Sequence, residues 1–156
     1  MRLTGQFVVQ ADRPAVFASL NDPQFFASCL EGVRDLNEVD PAHYTAVLET
    51  KIAYMKFKFA VEVEIEGAEP PIRVIAKGEG KPMGVVGRLT SLAVANLEET
   101  KEGYTQVSYE IDVSLAGKLG SIGQPVLKSK AKEMEKTFVQ NVNAAFAVGD
   151  GRSEAA

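Results

Sequence analysis

One apolar stripe at helical spacing runs through the last third of the chain. Its members lie three or four positions apart, which places them on one face of an amphipathic helix. Pro125 suits a first helical turn, where its missing N–H is not needed, and Gly149 follows the stripe. The roughly 22 residues from Pro125 to Phe146 would span about 33 Å as a helix. The stripe consists of Leu127, Ala131, Met134, Phe138, Val142 and Ala145.

The middle of the chain alternates apolar and polar residues with the period of a β-strand. The clearest case is the segment 56–67, in which every second residue is apolar and the intervening positions carry charges. Such a strand has one buried face and one solvent-exposed face, as in an antiparallel sheet that is covered on one side. The apolar set is Phe57, Phe59, Val61, Val63 and Ile65, and the charged set includes Lys58, Glu62, Glu64 and Glu66.

Turn and cap residues divide the rest of the chain into short elements. Asp12 and Asp22 are placed to cap two short helices, and Pro14 and Pro23 suit their first turns. Strands are predicted at 3–11, 33–39, 43–53, 56–67, 72–80, 85–98 and 104–115, and short helices from Asp12 to Leu20 and from 24 to 30.

This order predicts an α+β fold: a strand, two short helices, six strands and the long helix, which we expect from about 122 to 146. A helix of that length cannot bury its stripe alone, so we predict a sheet that grips it, with a pocket between them. We expect one domain over residues 1–148 and a disordered tail over residues 149–156.

The segment 85–98 carries small residues on the face that we expect to point inward. Small side chains opposite a helix leave volume unfilled, which favours a pocket; the alternative is a close approach of helix and sheet. The same register turns Val86, Leu92 and Val94 outward, which indicates a contact between copies of the chain or a wrong register. The inward set is Gly87, Leu89, Ser91, Ala93, Ala95 and Leu97.

Composition excludes several classes of function. The 156 residues carry a net charge of −4, which argues against a nucleic-acid partner. No run approaches the roughly 18 apolar residues of a membrane span, and the chain starts on a strand pattern without a signal-peptide core, so we expect a cytoplasmic location. Cys29 is the single cysteine, so no internal disulfide can form and a metal cluster is not supported.

Candidate catalytic motifs are weak. The glycine-rich segment 78–87 lacks the spacing of a dinucleotide or phosphate loop and is better explained as a hairpin turn. His43 stands without a Ser or Cys partner at a suggestive spacing, so we do not expect catalysis there.

A basic stripe follows the long helix. Lys128, Lys132 and Lys136 lie four positions apart, and Glu133 and Glu135 partly offset their charge. The stripe is either a solvated outer face or a docking face for an anionic membrane or partner.

Several short blocks together form a recognisable pattern: Gly5, Leu20-Asn21-Asp22-Pro23, Cys29-Leu30-Glu31-Gly32-Val33, Gly78-Glu79-Gly80, and the segment 117–123 leading into Ala131, Met134 and Phe138. This pattern resembles the carbon monoxide dehydrogenase G-subunit family of the START/helix-grip (polyketide cyclase-like) superfamily. The resemblance implies a seven-stranded antiparallel sheet wrapped around the C-terminal helix and enclosing an apolar cavity. It further implies a role beside a molybdenum hydroxylase, in membrane recruitment and in carrying a lipophilic quinone.

Our leading hypothesis is a non-enzymatic carrier of a quinone- or lipid-like molecule, with no other cofactor. We expect at most transient contact with the inner membrane face, through the basic face of the helix. A cyclase or hydrolase acting on an aromatic or polyketide substrate in the same cavity is the alternative, and an assembly module with an incidental pocket is the third. The expected ligand-binding residues are Phe25, Phe26, Leu30, Leu48, Phe57, Phe59, Val61, Val63, Ser91, Tyr109, Ile111, Val113, Leu127, Met134 and Phe138.

Overall fold

Seven strands and three α-helices make up the fold in the order that the sequence predicts, and a short 3₁₀ helix that was not predicted precedes the last α-helix. The computed structural model describes the backbone of residues 1–155 and the side chains of these residues apart from 68 and 148–155. The strands are β1 (Arg2–Val9), β2 (Val33–Asp40), β3 (His43–Ile52), β4 (Met55–Ala68), β5 (Arg73–Pro82), β6 (Gly87–Glu99) and β7 (Thr105–Gly117). The helices are α1 (Arg13–Leu20), α2 (Pro23–Cys29), a short 3₁₀ helix (Lys118–Ile122) and α3 (Gln124–Ala155).

All seven strands belong to one antiparallel sheet, as expected. The strand order is β1-β7-β6-β5-β4-β3-β2, so β2 to β7 form a meander and β1 pairs with the last strand. In the β1–β7 pair, Gly5 lies directly opposite Tyr109. The helices α1 and α2 carry the chain from β1 at one edge of the sheet to β2 at the other.

Both short helices begin at the predicted caps. The Asp12 carboxylate accepts a hydrogen bond from the backbone N–H of Ala15 at 3.1 Å, and the Asp22 carboxylate accepts one from Gln24 at 3.0 Å. These bonds satisfy amide groups that the first turn of a helix leaves free. The first strand ends two residues earlier than predicted, because the N–H of Ala11 turns back to the carbonyl of Val9.

The helix α3 packs on the sheet through two separate clusters of buried side chains. Towards the C-terminal half, Val142 is fully buried in a cluster that includes Leu97 and Val107. Towards the N-terminal end, Leu127 packs on a second cluster, formed by Ile52, Phe57, Phe59 and Leu119. The predicted stripe therefore faces the sheet, except for Ala145, which is exposed. The tail expected at 149–156 lies outside the described side chains, so it stays a prediction.

The strand β6 has the predicted register. Leu97 is 1% exposed, whereas Leu92, five residues earlier, is 40% exposed on the opposite face. Ser91, Ala93 and Ala95 therefore point to the same side as Leu97, towards α3. Val86, in the turn before β6, is also exposed. The contact between copies of the chain that these outward residues suggest stays a prediction.

The register of β6 yields a matched pair of stability variants. We expect Leu97→Ala to lower the free energy of unfolding by about 2–5 kcal/mol, because it deletes a buried side chain and leaves a cavity. We expect Leu92→Ala to lower it by less than about 1 kcal/mol, because that side chain lies at the surface. Urea denaturation of the two variants measures the difference, and similar losses in both would contradict the register.

Candidate functional site

An apolar cavity of about 370 Å³ lies between the sheet and α3, in the span between the two buried clusters. One wall is the concave face of the sheet, and here β5 and β6 contribute small residues such as Ala76, Gly78 and Ala93. The opposite wall is the middle of α3, from Ala131 to Val139. Pro23, Phe26 and Ala27 of α2 close a third side. Phe26 leans on Phe138 of α3, with ring centroids 5.1 Å apart.

Most of the residues predicted to bind a ligand line this cavity. They come from the loop and helix that precede β2, from four strands, and from α3, so the fold brings together residues that are far apart in sequence. Whether they bind a ligand stays a prediction. The predicted residues that line the cavity are Phe26, Leu30, Leu48, Phe59, Val61, Val63, Ser91, Tyr109, Ile111, Met134 and Phe138.

Four predicted residues lie outside the cavity lining. Phe57 stacks on Phe59, with ring centroids 5.9 Å apart, and belongs to the cluster on which Leu127 packs. Phe57 and Leu127 close the end of the cavity instead of lining it. Phe25 packs on Phe146 and lines an open groove on the surface. Val113 lies beyond Ile111 on β7, where its N–H donates to the carbonyl of Met1.

Tyr109 places a hydroxyl in a wall that is mainly apolar. A Cβ atom on Gly5 would overlap the Tyr109 hydroxyl, so the ring lies over a strand position that has no side chain. Phe7 flanks the ring, with centroids 6.1 Å apart and planes tilted by 58°. The phenol ring thus packs on Gly5 and on the ring of Phe7, and this packing fixes the position of its hydroxyl.

Glu135 is a charged residue of the cavity lining that the sequence prediction did not include. In sequence it pairs with Glu133 as a charge that offsets the lysine stripe, but it lines the cavity beside Met134, whereas Glu133 is exposed. A signal was available: residue 135 lies four positions after Ala131 and three before Phe138, at the edge of the apolar stripe.

The carboxylate of Glu135 and the phenol of Tyr109 interact. Burial raises the pKa of Tyr109, and the nearby Glu135 carboxylate, as an acceptor for the phenol and as a negative charge, raises it further. The Oε2 atom of Glu135 is buried and has no hydrogen-bond partner among the described residues. Glu135 therefore brings to the cavity lining a carboxylate oxygen that makes no hydrogen bond within the described part of the protein.

The histidine and the cysteine of the chain lie outside the cavity lining. His43 is exposed at the start of β3, and its pKa is raised chiefly by the hydrogen bond from Nδ1 to Asp40, at 2.7 Å. Burial raises the pKa of the Cys29 thiol. Gly78 and Gly80 belong to β5, and Gly84 has a φ of 81° in the following turn, as the hairpin interpretation requires. Among the described residues no three His, Cys, Asp or Glu side chains cluster as metal ligands would.

Comparison with known proteins identifies the family. Residues 5–147 match the sequence profile of the carbon monoxide dehydrogenase G subunit (CoxG). The chain belongs to the CoxG family. The resemblance found in the sequence is thus confirmed over most of the chain. No curated protein matches the chain by sequence.

Solved structures confirm the START-like fold of this CoxG family member. A conserved protein from Geobacillus kaustophilus is 24% identical, with a TM-score of 0.84 over 94% of this chain and 95% of that one. A protein from Thermus thermophilus is 13% identical, with a TM-score of 0.71 over 96% and 99%. A START superfamily protein from Mycobacterium smegmatis is 10% identical, with a TM-score of 0.68 over 94% and 97%. Within the described part of the chain, no helix has the length and apolar character that crossing a bilayer requires.

The raised pKa of Tyr109 predicts how stability changes at alkaline pH. Above about pH 10 the unfolded chain loses the phenol proton while the folded protein keeps it, so the free energy of unfolding falls as pH rises. We expect this fall to be smaller in Tyr109→Phe, which has no proton to lose. Urea denaturation between about pH 8 and 11 measures the slope. Tyr54→Phe is the matched control, since Tyr54 is 96% exposed, and an unchanged slope in Tyr109→Phe would contradict the burial of this phenol.

Proposed function

We propose that this protein binds and carries a lipophilic, quinone- or lipid-like molecule in the cavity between the sheet and α3. The observation that carries the proposal is the lining, which is apolar except for Ser91, Tyr109, Glu135 and a few peripheral groups. Ligand pockets in proteins usually measure about 300–1,000 Å³, so this cavity is at the small end of that range. It suits one ring system or a segment of an acyl chain, and a longer tail would extend outside.

Desolvation would supply the affinity. A ligand that buries about 200 Å² of apolar surface gains roughly 5 kcal/mol at 25 cal/mol per Å². The cost of fixing the ligand reduces this gain, so binding by the ring system alone would be reversible. Reversible binding is what a carrier requires, because the ligand has to leave again. Membership of the CoxG family supports delivery to a molybdenum hydroxylase as the setting.

A cavity-filling variant tests the carrier function. We expect Ala93→Phe to reduce uptake of menaquinone about tenfold or more, because the new ring occupies the cavity. Leu92→Phe, on the outer face of the same strand, is the matched control and should bind as the unsubstituted protein does. Uptake is measured by solvent extraction and mass spectrometry after incubation with menaquinone, and urea denaturation verifies that both variants fold. Absence of uptake by the unsubstituted protein, or equal uptake by Ala93→Phe, would count against the carrier.

A basic end of the sheet supports transient contact with an anionic membrane. Nine of the chain's 17 Lys and Arg lie in the segments 51–58, 81–88 and 116–132, which contain no Asp or Glu. The remaining residues therefore carry eight basic and 21 acidic side chains. These segments meet at one end of the fold, where the N–H of Met83 donates to the carbonyl of Lys58 and that of Lys118 to the carbonyl of Val86.

Exposed apolar side chains lie among these cations. Tyr54 is 96% exposed and Val86 is 80% exposed, and both sit in turns between strands. The first turn of α3 adds no acidic residue, although carboxylates there would stabilise the helix by interacting with its dipole. Apolar tips surrounded by lysines match the surface of a bilayer that contains anionic lipid. The proposed docking surface is thus the end of the sheet together with the start of α3, a wider area than the helix face expected from sequence.

Vesicle binding tests this surface. We expect binding to vesicles of phosphatidylcholine and phosphatidylglycerol, weaker binding in high salt, and none to phosphatidylcholine alone. The double variant Tyr54→Ser/Val86→Ser should bind roughly fivefold or more weakly, because each apolar tip adds buried area. Val39→Ser is the matched control, since Val39 is 67% exposed but lies beside Asp40 on β2. Equal sedimentation with both kinds of vesicle would rule out charge-dependent docking.

A second function, catalysis in the same cavity, is favoured by Glu135. A carboxylate that faces an apolar space and touches a phenol could move a proton on an aromatic or polyketide substrate, as a cyclase or hydrolase requires. The menaquinone experiment separates the two functions only for that compound, so we would also incubate the protein with a panel of aromatic esters and polyketide analogues. A carrier returns every compound chemically unchanged, whereas an enzyme yields a product that is lost in Glu135→Gln.

A further inference from the structure

The unused oxygen of Glu135 indicates what kind of molecule the cavity accepts. Oε2 is buried and makes no hydrogen bond to any described residue. Within the described side chains no lysine, arginine or histidine forms an ion pair with this carboxylate, although Lys130 pairs with Glu133 nearby at 3.8 Å. Leaving a buried acceptor unsatisfied destabilises the protein, because the acceptor has lost its hydrogen bonds to water. A ligand that satisfies it recovers that free energy on binding.

An ionised carboxylate can only accept hydrogen bonds, so the complementary group on a ligand is a donor. We propose that the cavity selects lipophilic molecules that carry an O–H or N–H group, such as phenols, alcohols or hydroquinones, over otherwise similar molecules that carry only acceptors. Lipophilic carboxylates are the least favoured class, because their charge would face that of Glu135. This inference rests on the proposed function and narrows its ligand class.

Tyr109 adds to this selection. Its hydroxyl lies beside the Glu135 carboxylate, and a phenol oxygen can itself accept a hydrogen bond, so the pair offers a second acceptor. Gly5 and Phe7 hold the ring, so the hydroxyl is preorganised and need not be ordered when a ligand arrives. A donor at the edge of a ring would meet the pair Glu135 and Tyr109.

The small side chains of the sheet determine where the apolar part of the ligand lies. Ala95 is the direct neighbour of Tyr109 across the β6–β7 pair, and Ala93 and Ser91 follow along β6. On β5, Gly78 faces Ser91, so this part of the wall carries almost no side-chain volume. A flat ring system can therefore lie against β5 and β6 while its donor points to α3.

Three probes with one naphthalene body isolate the polar group. These are 2-naphthol, its methyl ether 2-methoxynaphthalene, and the anion 2-naphthoate, each titrated at pH 7 against the full chain with detection by naphthalene fluorescence. We expect 2-naphthol to bind roughly tenfold more tightly than the methyl ether, and 2-naphthoate to bind most weakly. In Glu135→Gln the amide can donate as well as accept, so the preference for 2-naphthol should fall to about twofold or less and 2-naphthoate should bind roughly tenfold better than before.

A surface variant on the same helix provides the control. Glu133→Gln removes the same charge from a side chain that is 67% exposed, and it should leave all three dissociation constants within about twofold of the original. Tyr109→Phe keeps the shape of the wall and removes the second acceptor, so it should reduce only the preference for 2-naphthol. It also keeps the test decisive if Glu135→Gln proves unstable in urea denaturation.

The outcomes separate this inference from the function on which it rests. Equal affinities for the three probes, or an order that persists in Glu135→Gln and in Tyr109→Phe, would overturn the donor preference while leaving the carrier intact. Failure of the unsubstituted protein to bind any of the three would count against the carrier itself. The predicted order in the unsubstituted protein and in Glu133→Gln, with the preference for 2-naphthol reduced in the two cavity variants, supports both.

Discussion

The separation between the two buried clusters is the constraint on which the structure depends. One cluster holds α3 at Val142 and the other holds it at Leu127, so the helix bridges the sheet at two points. A rigid helix that is held at both ends cannot bend into the concavity to fill it. The space beneath residues 131–139 therefore persists, although protein interiors otherwise pack closely. Larger residues on β5 and β6 would fill it, and the chain has alanine, glycine and serine at those positions.

The sheet and its register could be predicted from the sequence because both depend on local patterns. Alternation with a period of two fixed the inward face of β4 and of β6, and a register error of one residue would have exchanged Leu97 with its polar neighbours. The aspartates before α1 and α2 identified the helix starts, because a cap acts on amides only two or three residues away. The bridging position of α3 followed from the length of its apolar stripe.

The composition of the site could be predicted only in part, because it depends on distances along the sheet. Phe57 and Phe59 occupy the same face of one strand and look alike in sequence, yet only Phe59 lines the cavity. The difference arises because the 3₁₀ helix places Leu119 against that end of the sheet, and no local pattern records this contact. In sequence Glu135 resembles a solvent-exposed residue, because lysines lie close to it. Only the structure shows that the edge of the apolar stripe, where Glu135 lies, borders the cavity.

Gly5 shows that a residue without a side chain can determine the chemistry of a distant one. It lies opposite Tyr109 in the sheet, and because it has no side chain it leaves room for the hydroxyl end of that ring. Redesign of the polar group in this cavity would therefore begin with the first strand. A methyl group at residue 5 would displace the hydroxyl of Tyr109, which lies 104 positions later in the chain, without any substitution in the cavity lining.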